Sequence, residues 1–261
     1  MFKFSKEYKA KTVVKVNGVK FGEGFTIIAG PCSVETEGQI MKTAEFLSEI
    51  GVEVLRGGTF KPRTSPYSFQ GHGEKALKWL KKAGEEFGLV TVSEVMDTRE
   101  VELVSKYVDV LQIGTRNAQN FGLLKEVGKT DKPVILKRGF ANTIQEWLYS
   151  AEYILAEGNE NVILCERGIR TFETSTRFTL DISAVPVVKE LSHLPIIVDP
   201  SHAAGKRSLV KPLARAAFAV GADGIMVEVH PEPEKALSDP KQQLNFDEFK
   251  ELLEDLRKWG L

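Results

Sequence analysis

Eight short apolar runs along the chain are each followed by a side chain that can bind an anion or a metal, or move a proton. In chain order these side chains are Cys32, Arg56, Glu94, Arg116, Lys137, Arg167, His202 and Glu228. Any one of them has an ordinary alternative explanation, because strands often emerge into solvated loops. Their recurrence after every run indicates a shared site.

Cations dominate this set, and Lys61 and Arg63 in the loop after the second run add to it. The formal net charge of the chain is only −1, so these cations are segregated rather than in excess. Guanidinium groups bind carboxylates and phosphates through paired hydrogen bonds. We therefore expect a ligand with several negative charges. Residues 61–66, KPRTSP, add two hydroxyls on a loop stiffened by two prolines, which suits a phosphate; a polar solvated loop is the alternative.

A second group of residues suggests a metal. Cys32, His202 and Glu228 follow three different runs, and Asp239 lies in the loop after the last one. A thiolate, an imidazole and two carboxylates suit Zn, Mn, Fe or Co rather than Mg or Ca, which prefer oxygen ligands. Ligands from four distant segments carry no spacing signature. From the residues alone, Cys32 as a small buried side chain and His202 as a loop histidine remain alternatives.

The apolar runs predict the elements that must position these side chains. They cover residues 25–29, 52–55, 89–92, 108–113, 133–136, 162–164, 195–198 and 224–227. Nearly continuous apolar runs are typical of parallel strands buried on both faces. Helical patterns lie between them, and eight such units in about 250 residues favour a (β/α)8 TIM barrel, in which the carboxyl ends of the strands build the active site. The first run lacks the Gly-rich fingerprint of a dinucleotide site.

Local signals refine this prediction. Asn17-Gly18 lies between alternating residues and predicts a two-residue β-hairpin. We therefore expect an N-terminal hairpin extension over residues 1–24, plugging the bottom of the barrel, and a single catalytic barrel over residues 25–261. Three helices are predicted to open with a capping box, formed by Asp97 with Glu100, Thr143 with Glu146, and Asn245 with Glu248.

Composition excludes several classes of protein. Hydrophobic residues make up 42% and charged residues 27%, an ordinary globular balance. The near-neutral net charge gives no reason to expect nucleic acid or a membrane as a partner. The N-terminus lacks the apolar core of a signal peptide, and no apolar run approaches the ~20 residues that cross a bilayer. With two cysteines only, we expect reduced thiols and a cytoplasmic location.

The segments after the runs together resemble the type I 3-deoxy-D-arabino-heptulosonate 7-phosphate (DAHP) synthases, β subgroup, which overlaps the 3-deoxy-octulosonate 8-phosphate synthases. The resemblance begins at residue 25 and covers nearly all of the chain from there. It is carried by IAGPCSVE (28–35), LRGGTFKPRTSPYSFQG (55–71), SEVMD (93–97), IGTRNAQN (113–120), LKRG (136–139), CERGIRTFE (165–173), VDPSHAAG (198–205), VEVHPEP (227–233) and ALSD (236–239).

This resemblance implies roles for individual residues. The divalent-metal ligands would be Cys32, His202, Glu228 and Asp239. The phosphoenolpyruvate contacts would be Arg56, Lys61, Arg116, Lys137 and Arg167. The erythrose 4-phosphate loop would be Arg63, Thr64 and Ser65. The candidate catalytic residues are Lys137, Glu94 and His202. Lys137 would donate a proton, hold charge or do both, and the group that activates water would be Glu94, a metal-bound species or the substrate phosphate. The resemblance also implies a homotetramer.

The implied reaction is a metal-dependent, aldol-type condensation. Phosphoenolpyruvate, erythrose 4-phosphate and water would give DAHP and phosphate, the first step of the shikimate pathway to the aromatic amino acids. The near alternative is an octulosonate 8-phosphate synthase using arabinose 5-phosphate. Those enzymes usually read Ala-Asn-Arg-Thr-Ser where this chain reads Lys61-Pro62-Arg63-Thr64-Ser65, which favours the four-carbon aldose. Some of them carry Asn in place of Cys32 and need no metal. Two more distant candidates are a metal-dependent aldolase that cleaves and a non-catalytic phosphate-binding barrel.

Control by end products is the last expectation. Related enzymes often carry a regulatory domain, whereas about 24 residues precede the first predicted strand here and the last helix ends at Leu261. Neither end would hold a separately stable domain. We therefore expect no fused regulatory domain and no inhibition by phenylalanine, tyrosine or tryptophan.

Overall fold

A computed structural model describes all 261 residues and contains ten strands. Strands β1 (Val14–Val16) and β2 (Val19–Phe21) pair antiparallel. The other eight are β3 (Thr26–Gly30), β4 (Val54–Arg56), β5 (Val90–Glu94), β6 (Val110–Ile113), β7 (Val134–Lys137), β8 (Val162–Glu166), β9 (Ile196–Val198) and β10 (Gly224–Glu228). These eight pair in parallel and in chain order, and β10 closes the barrel against β3. The predicted TIM barrel is confirmed.

The barrel strands form because both of their faces are covered. Every residue in them is buried except the partly buried Ile27. Several strands continue one or two residues beyond the predicted apolar runs, so that Arg56, Glu94, Lys137 and Glu228 are the last paired residues of their strands. The ladder therefore fixes the backbone that carries each of these polar side chains.

The chain forms nine α-helices, eight between barrel strands and one after β10, and none of them has the length and apolar character needed to span a membrane. They are α1 (Glu37–Glu49), α2 (Glu74–Phe87), α3 (Val101–Ser105), α4 (Phe121–Gly128), α5 (Ile144–Ala156), α6 (Ala184–Leu191), α7 (Pro200–Ala204), α8 (Arg207–Ala219) and α9 (Phe246–Lys258). Short 3₁₀ turns cover Thr98–Glu100, Thr115–Asn117 and Pro233–Lys235.

Two of the three predicted capping boxes are present, at the starts of α5 and α9. The third prediction is wrong in detail. Asp97 accepts a hydrogen bond from the backbone of Arg99 and opens a 3₁₀ turn, and the α-helix starts only at Val101. The Asp97 carboxylate also binds the Arg99 side chain. The backbone N–H of Glu100 donates to the Asp97 carbonyl at 3.0 Å, so it is not available to the Asp97 side chain as a capping box requires.

The N-terminal hairpin plugs the barrel, as the sequence predicts. Asn17 and Gly18 have φ angles of 45° and 92°, as a tight hairpin turn requires. The hairpin's inward side chains form one core cluster with the barrel's interior side chains, among them Ile28, Val92 and Met226. Apolar burial at this end leaves the carboxyl ends of the strands as the open mouth.

Candidate active site and metal centre

A polar cavity lies at the mouth of the barrel, and Phe140 is its one hydrophobic wall residue. The side chains that line it include Arg56, Lys61, Arg63, Thr64, Ser65, Glu94, Arg116, Lys137, Arg167, Arg177, His202 and Asp239. All the predicted phosphoenolpyruvate contacts and all three residues of the predicted aldose-phosphate loop are in this lining. The structure therefore gathers both predicted anion sites around one cavity.

The four predicted metal ligands meet at one side of this cavity. One ligand atom from each of Cys32, His202, Glu228 and Asp239 lies within 4.8 Å of the others. The Cys32 and Glu228 side chains are fully buried. Three groups that carry negative charge when deprotonated are thus packed around a single imidazole. A sulfur, a nitrogen and two carboxylate oxygens fit a divalent transition ion, and this donor set supports the predicted metal.

Asp199 positions the histidine of this set, and it is not among the residues predicted from the sequence. Its carboxylate accepts from Nδ1 of His202 at 2.6 Å and from the His202 backbone at 2.9 Å, and it also pairs with the Lys137 ammonium. Nδ1 therefore carries the proton, and Nε2 faces Glu228 Oε1 at 3.2 Å. Burial lowers the pKa of His202, although Asp199 and Glu228 oppose the shift. The signal that could have found Asp199 is its spacing from the histidine within VDPSHAAG.

The environment of Cys32 favours the protonated thiol. Burial raises the pKa of Cys32 to about 12, and the neighbouring Glu228 adds to the rise. Lys61 Nζ lies 3.0 Å from the sulfur and also donates to the Cys32 carbonyl at 2.8 Å. Lys61 thus contacts Cys32 of the predicted metal-ligand set directly, and it also lines the cavity as a predicted phosphoenolpyruvate contact.

The loop carrying Asp239 is held in an unusual conformation. Asp239 has a φ angle of 48°, in the left-handed region that few non-glycine residues adopt. Gln243, another residue that the sequence did not single out, fixes this loop to the segment that follows β3. Its side chain accepts from the Cys32 backbone at 2.9 Å and donates to the Ser238 carbonyl at 2.8 Å. Backbone strain of this kind is maintained only where surrounding contacts enforce it.

Arg56 and Arg167 retain donors that no protein atom satisfies. Arg56 donates to the Pro31 carbonyl at 2.7 Å and to Glu228 at 3.2 Å, but its Nε is buried without a partner. Nη1 of Arg167 is likewise buried without a partner. Burial lowers the pKa of Arg167 to about 10, so that it is still charged at neutral pH. Buried polar groups are normally paired, so unpaired donors on two cations suit the binding of an anion.

Two aromatic rings, neither of them a sequence-predicted site residue, support the arginines. Phe140 and Phe178 stack with their ring centroids 5.1 Å apart. The Arg167 guanidinium lies 4.0 Å from the Phe178 centroid, and Arg116 lies 5.7 Å from that of Phe140. Cation–π contact stabilises guanidinium groups that would otherwise repel one another. The stacked rings of Phe140 and Phe178 therefore keep the Arg116 and Arg167 guanidinium groups in positions where they can bind an anion.

Glu94 faces the cavity from the end of β5. Its carboxyl is buried, its Oε1 has no hydrogen-bond partner, and burial raises its pKa although Lys61 and Lys137 oppose the shift. A Cβ at Gly114 would lie 2.0 Å from Glu94 Oε1. The glycine is thus required for the carboxyl to reach its position.

The predicted aldose-phosphate loop also lines the cavity, and its Thr64 and Ser65 are exposed. Arg63 reaches away from these hydroxyls and donates to Ser238 Oγ at 2.6 Å, beside the metal-ligand set. Arg116 comes closer to the loop, with Nη2 3.4 Å from Thr64 Oγ1. The three residues line one cavity, but the Arg63 side chain is bonded to Ser238 and is not gathered with the two hydroxyls.

Comparisons with known proteins agree with this geometry. Residues 9–260 match the model of the DAHP synthetase I family. Phospho-2-dehydro-3-deoxyheptonate aldolase of Thermotoga maritima is 62% identical over 95% of this chain and 73% of its own length. The crystal structure of a DAHP synthase from the same organism superposes with a TM-score of 0.96 at 60% identity, covering 98% of this chain and 76% of that one. The 2-dehydro-3-deoxyphosphooctonate aldolase of Syntrophotalea carbinolica is 32% identical over 93% of this chain and 94% of its own length. The resemblance noted in the sequence is confirmed, and the chain belongs to the DAHP synthetase I family.

Proposed function

We propose that this protein is a 3-deoxy-7-phosphoheptulonate synthase, a transferase that forms a carbon–carbon bond. It condenses phosphoenolpyruvate with erythrose 4-phosphate and water to give DAHP and phosphate, the first step of the shikimate pathway. The observation that carries the proposal is the mouth itself, where a mixed metal-ligand set lies beside buried arginine donors that lack partners. The high identity to the Thermotoga maritima aldolase supports the choice of substrates.

Cys32, His202, Glu228 and Asp239 would hold one divalent ion, Mn, Fe, Co or Zn. When bound, that ion supplies Lewis acidity toward the aldehyde of the aldose. His202 serves in this set with its Nε2 lone pair, which Asp199 keeps directed at the other ligands.

The cations hold phosphoenolpyruvate. Arg167 and Arg56 offer the unpaired buried donors, and Arg116, Lys61 and Lys137 complete the positive wall around the carboxylate and phosphate. The methylene carbon of phosphoenolpyruvate attacks the aldehyde carbon, and water adds to the positive centre left at the enol carbon. Phosphate then leaves with cleavage of its carbon–oxygen bond. Fixed cations stabilise charge in both steps without reorganising.

Glu94 and Lys137 are the proposed proton carriers. Glu94 has a free oxygen in a buried position and a raised pKa, which suits a group that takes a proton from the attacking water. Lys137 is fixed by Asp199, and we assign it both charge stabilisation and proton donation. Arg63, Thr64 and Ser65 bind the phosphate of erythrose 4-phosphate.

Turnover of erythrose 4-phosphate and of arabinose 5-phosphate, each with phosphoenolpyruvate, tests the proposal. Phosphate release should be far faster with the four-carbon aldose. Preference for arabinose 5-phosphate would instead make the protein an octulosonate synthase, a candidate supported by the similarity to the Syntrophotalea carbinolica aldolase. No phosphate release with either aldose would reject both activities.

The organisation of the working enzyme is also part of the proposal. Residues 25–261 act as one catalytic domain, and residues 1–24 form an extension whose hairpin seals the barrel. We place the enzyme in the cytoplasm and, as the family resemblance implies, expect it to work as a homotetramer.

A further inference from the structure

Gln242 is a buried amide in the loop between β10 and α9, three residues beyond Asp239, with an exposed fraction of 3%. Its Nε2 donates to Glu228 Oε2 at 2.6 Å, and its Oε1 accepts from Arg177 Nη1 at 3.1 Å. An amide nitrogen only donates and an amide oxygen only accepts. Only this orientation satisfies both neighbours, because the reverse would place oxygen against the carboxylate and nitrogen against the guanidinium.

This contact determines how Glu228 is turned. Its other oxygen, Oε1, faces Arg56 Nη1 at 3.2 Å and His202 Nε2 at 3.2 Å. The amide of Gln242 is the protein donor to Oε2. With one oxygen held by Gln242, the carboxylate keeps the other directed at the ligand set. Without that bond, the carboxylate would be oriented only through its contacts at Oε1.

Arg177 completes the arrangement from the loop between β8 and α6. Its Nη1 donates both to Gln242 and, at 3.3 Å, to Asp239 Oδ2. One guanidinium nitrogen therefore connects the amide behind Glu228 to a second carboxylate of the set. The Arg177 side chain is 38% exposed, so solvent screens its own contact more than that of the buried amide.

We propose that Gln242 is a positioning residue for the divalent ion, orienting Glu228, and that Arg177 fixes the Gln242 amide and the Asp239 carboxylate. This inference rests on the proposed function in assuming that these carboxylates bind a metal. Groups that hydrogen-bond to metal ligands usually change metal affinity about 10- to 100-fold when removed.

The test is Gln242→Met, which keeps the length of the side chain and removes both hydrogen-bonding groups. We expect the Kd of the metal-free protein for Mn²⁺, measured by competition with a chromophoric chelator, to rise about 10- to 100-fold. Arg177→Gln should raise it less, because Arg177 is more exposed. The thiolate-to-metal absorption of the Co²⁺-loaded protein should persist in both variants, because Cys32 is intact.

Asn159→Ala is the matched control. Asn159 is a buried amide at the opposite end of the barrel, where it donates to the carbonyl of Lys132 at 2.7 Å. Its loss should lower the melting temperature and leave the Kd for Mn²⁺ unchanged.

The outcomes distinguish failure of the role of Gln242 from failure of the proposed function. An unchanged Kd for Mn²⁺ in folded Gln242→Met protein would overturn the role of Gln242 and leave the proposed function intact. If Gln242→Met does not fold, Gln242→Asn keeps the amide but shortens its reach, and the same rise in Kd is expected of it. If the native protein itself binds no divalent ion, the metal-dependent function fails.

Discussion

Replacing Asp199 by asparagine should damage both the fold and the metal centre. The Asp199 side chain is fully buried, and it is shared between the Lys137 ammonium and the His202 ring. Asparagine has the same shape but no charge, and its amide nitrogen would face a donor. The substitution therefore removes the charge that compensates Lys137, and it leaves one acceptor oxygen where two are used, so either the ring or the backbone N–H of His202 loses its acceptor.

The magnitude follows from burial. The Lys137 side chain is only 5% exposed, and removing one partner of a buried pair costs about 3–5 kcal/mol because the other charge is left uncompensated. At ~2–4 °C per kcal/mol for a chain of about this size, the melting temperature should fall by roughly 6–20 °C. Metal affinity should fall about 10- to 100-fold, since Asp199 fixes the histidine of the proposed ligand set.

The pH dependence has a defined sign. Burial favours the neutral form of Asp199, but His202 and Lys137 outweigh it and hold the pKa of the carboxyl well below its usual range. A depressed pKa contributes stability that is complete above the unfolded value of about 3.9 and is lost as pH falls through the folded value. The difference between native and variant should thus be full at pH 7 and shrink only below about pH 4.

The assay compares thermal melts and chelator competition for the native protein and the Asp199→Asn variant. Asp255→Asn is the control. Asp255 forms an ion pair with Arg215, which is 39% exposed, so its loss should cost no more than about 1 kcal/mol. An Asp199→Asn protein that melts with the native protein and binds metal as tightly would refute the reasoning.

Three further predictions concern the substrates and the metal. Arg63→Ala should raise KM for erythrose 4-phosphate roughly 10- to 150-fold, for a contact worth about 1.5–3 kcal/mol, and should leave KM for phosphoenolpyruvate unchanged. Arg167→Ala should do the reverse. Equal effects on the two KM values would reassign either residue. Because the pKa of Cys32 is raised to about 12, metal binding should release its proton, so that affinity rises about tenfold per pH unit above pH 7; a flat profile by titration would contradict this. Gly114→Ala should displace Glu94 and lower kcat more than it lowers the melting temperature, and an unchanged kcat would show that the position of Glu94 is not required.

The barrel could be predicted because its signal is local and repeated. Each strand is buried on both faces, so each appears in the sequence as an apolar run of the length of a strand. The residue that follows each run can then be read directly from the sequence. The capping boxes at Thr143 and Asn245 are equally local. The capping box expected at Asp97 was wrong because the Glu100 N–H donates to the Asp97 carbonyl, in a tighter turn, and the Asp97 side chain accepts from the Arg99 N–H instead.

The site was predictable only in outline. Residues that follow strands converge by topology, so Cys32, His202, Glu228 and Asp239 could be placed at one mouth. Gln242 and Phe178 could not be assigned, because their roles depend on contacts between segments far apart in the chain. Asp199 lies only three residues before His202, and its spacing was a signal that the sequence offered. Nor could the sequence show that the Arg63 side chain would bond the hydroxyl of Ser238 rather than turn toward the hydroxyl of Thr64. That choice depends on which partner the side chain reaches in space.

Metal dependence of the condensation is tested most directly by phosphate release from phosphoenolpyruvate and erythrose 4-phosphate, measured on protein stripped with a chelator and verified to be metal-free. We expect no release from the stripped protein, recovery when one equivalent of Mn²⁺, Fe²⁺, Co²⁺ or Zn²⁺ is added, and no recovery for a folded Cys32→Ala variant. Full turnover by the verified metal-free protein would contradict the assignment of the four ligands to the reaction.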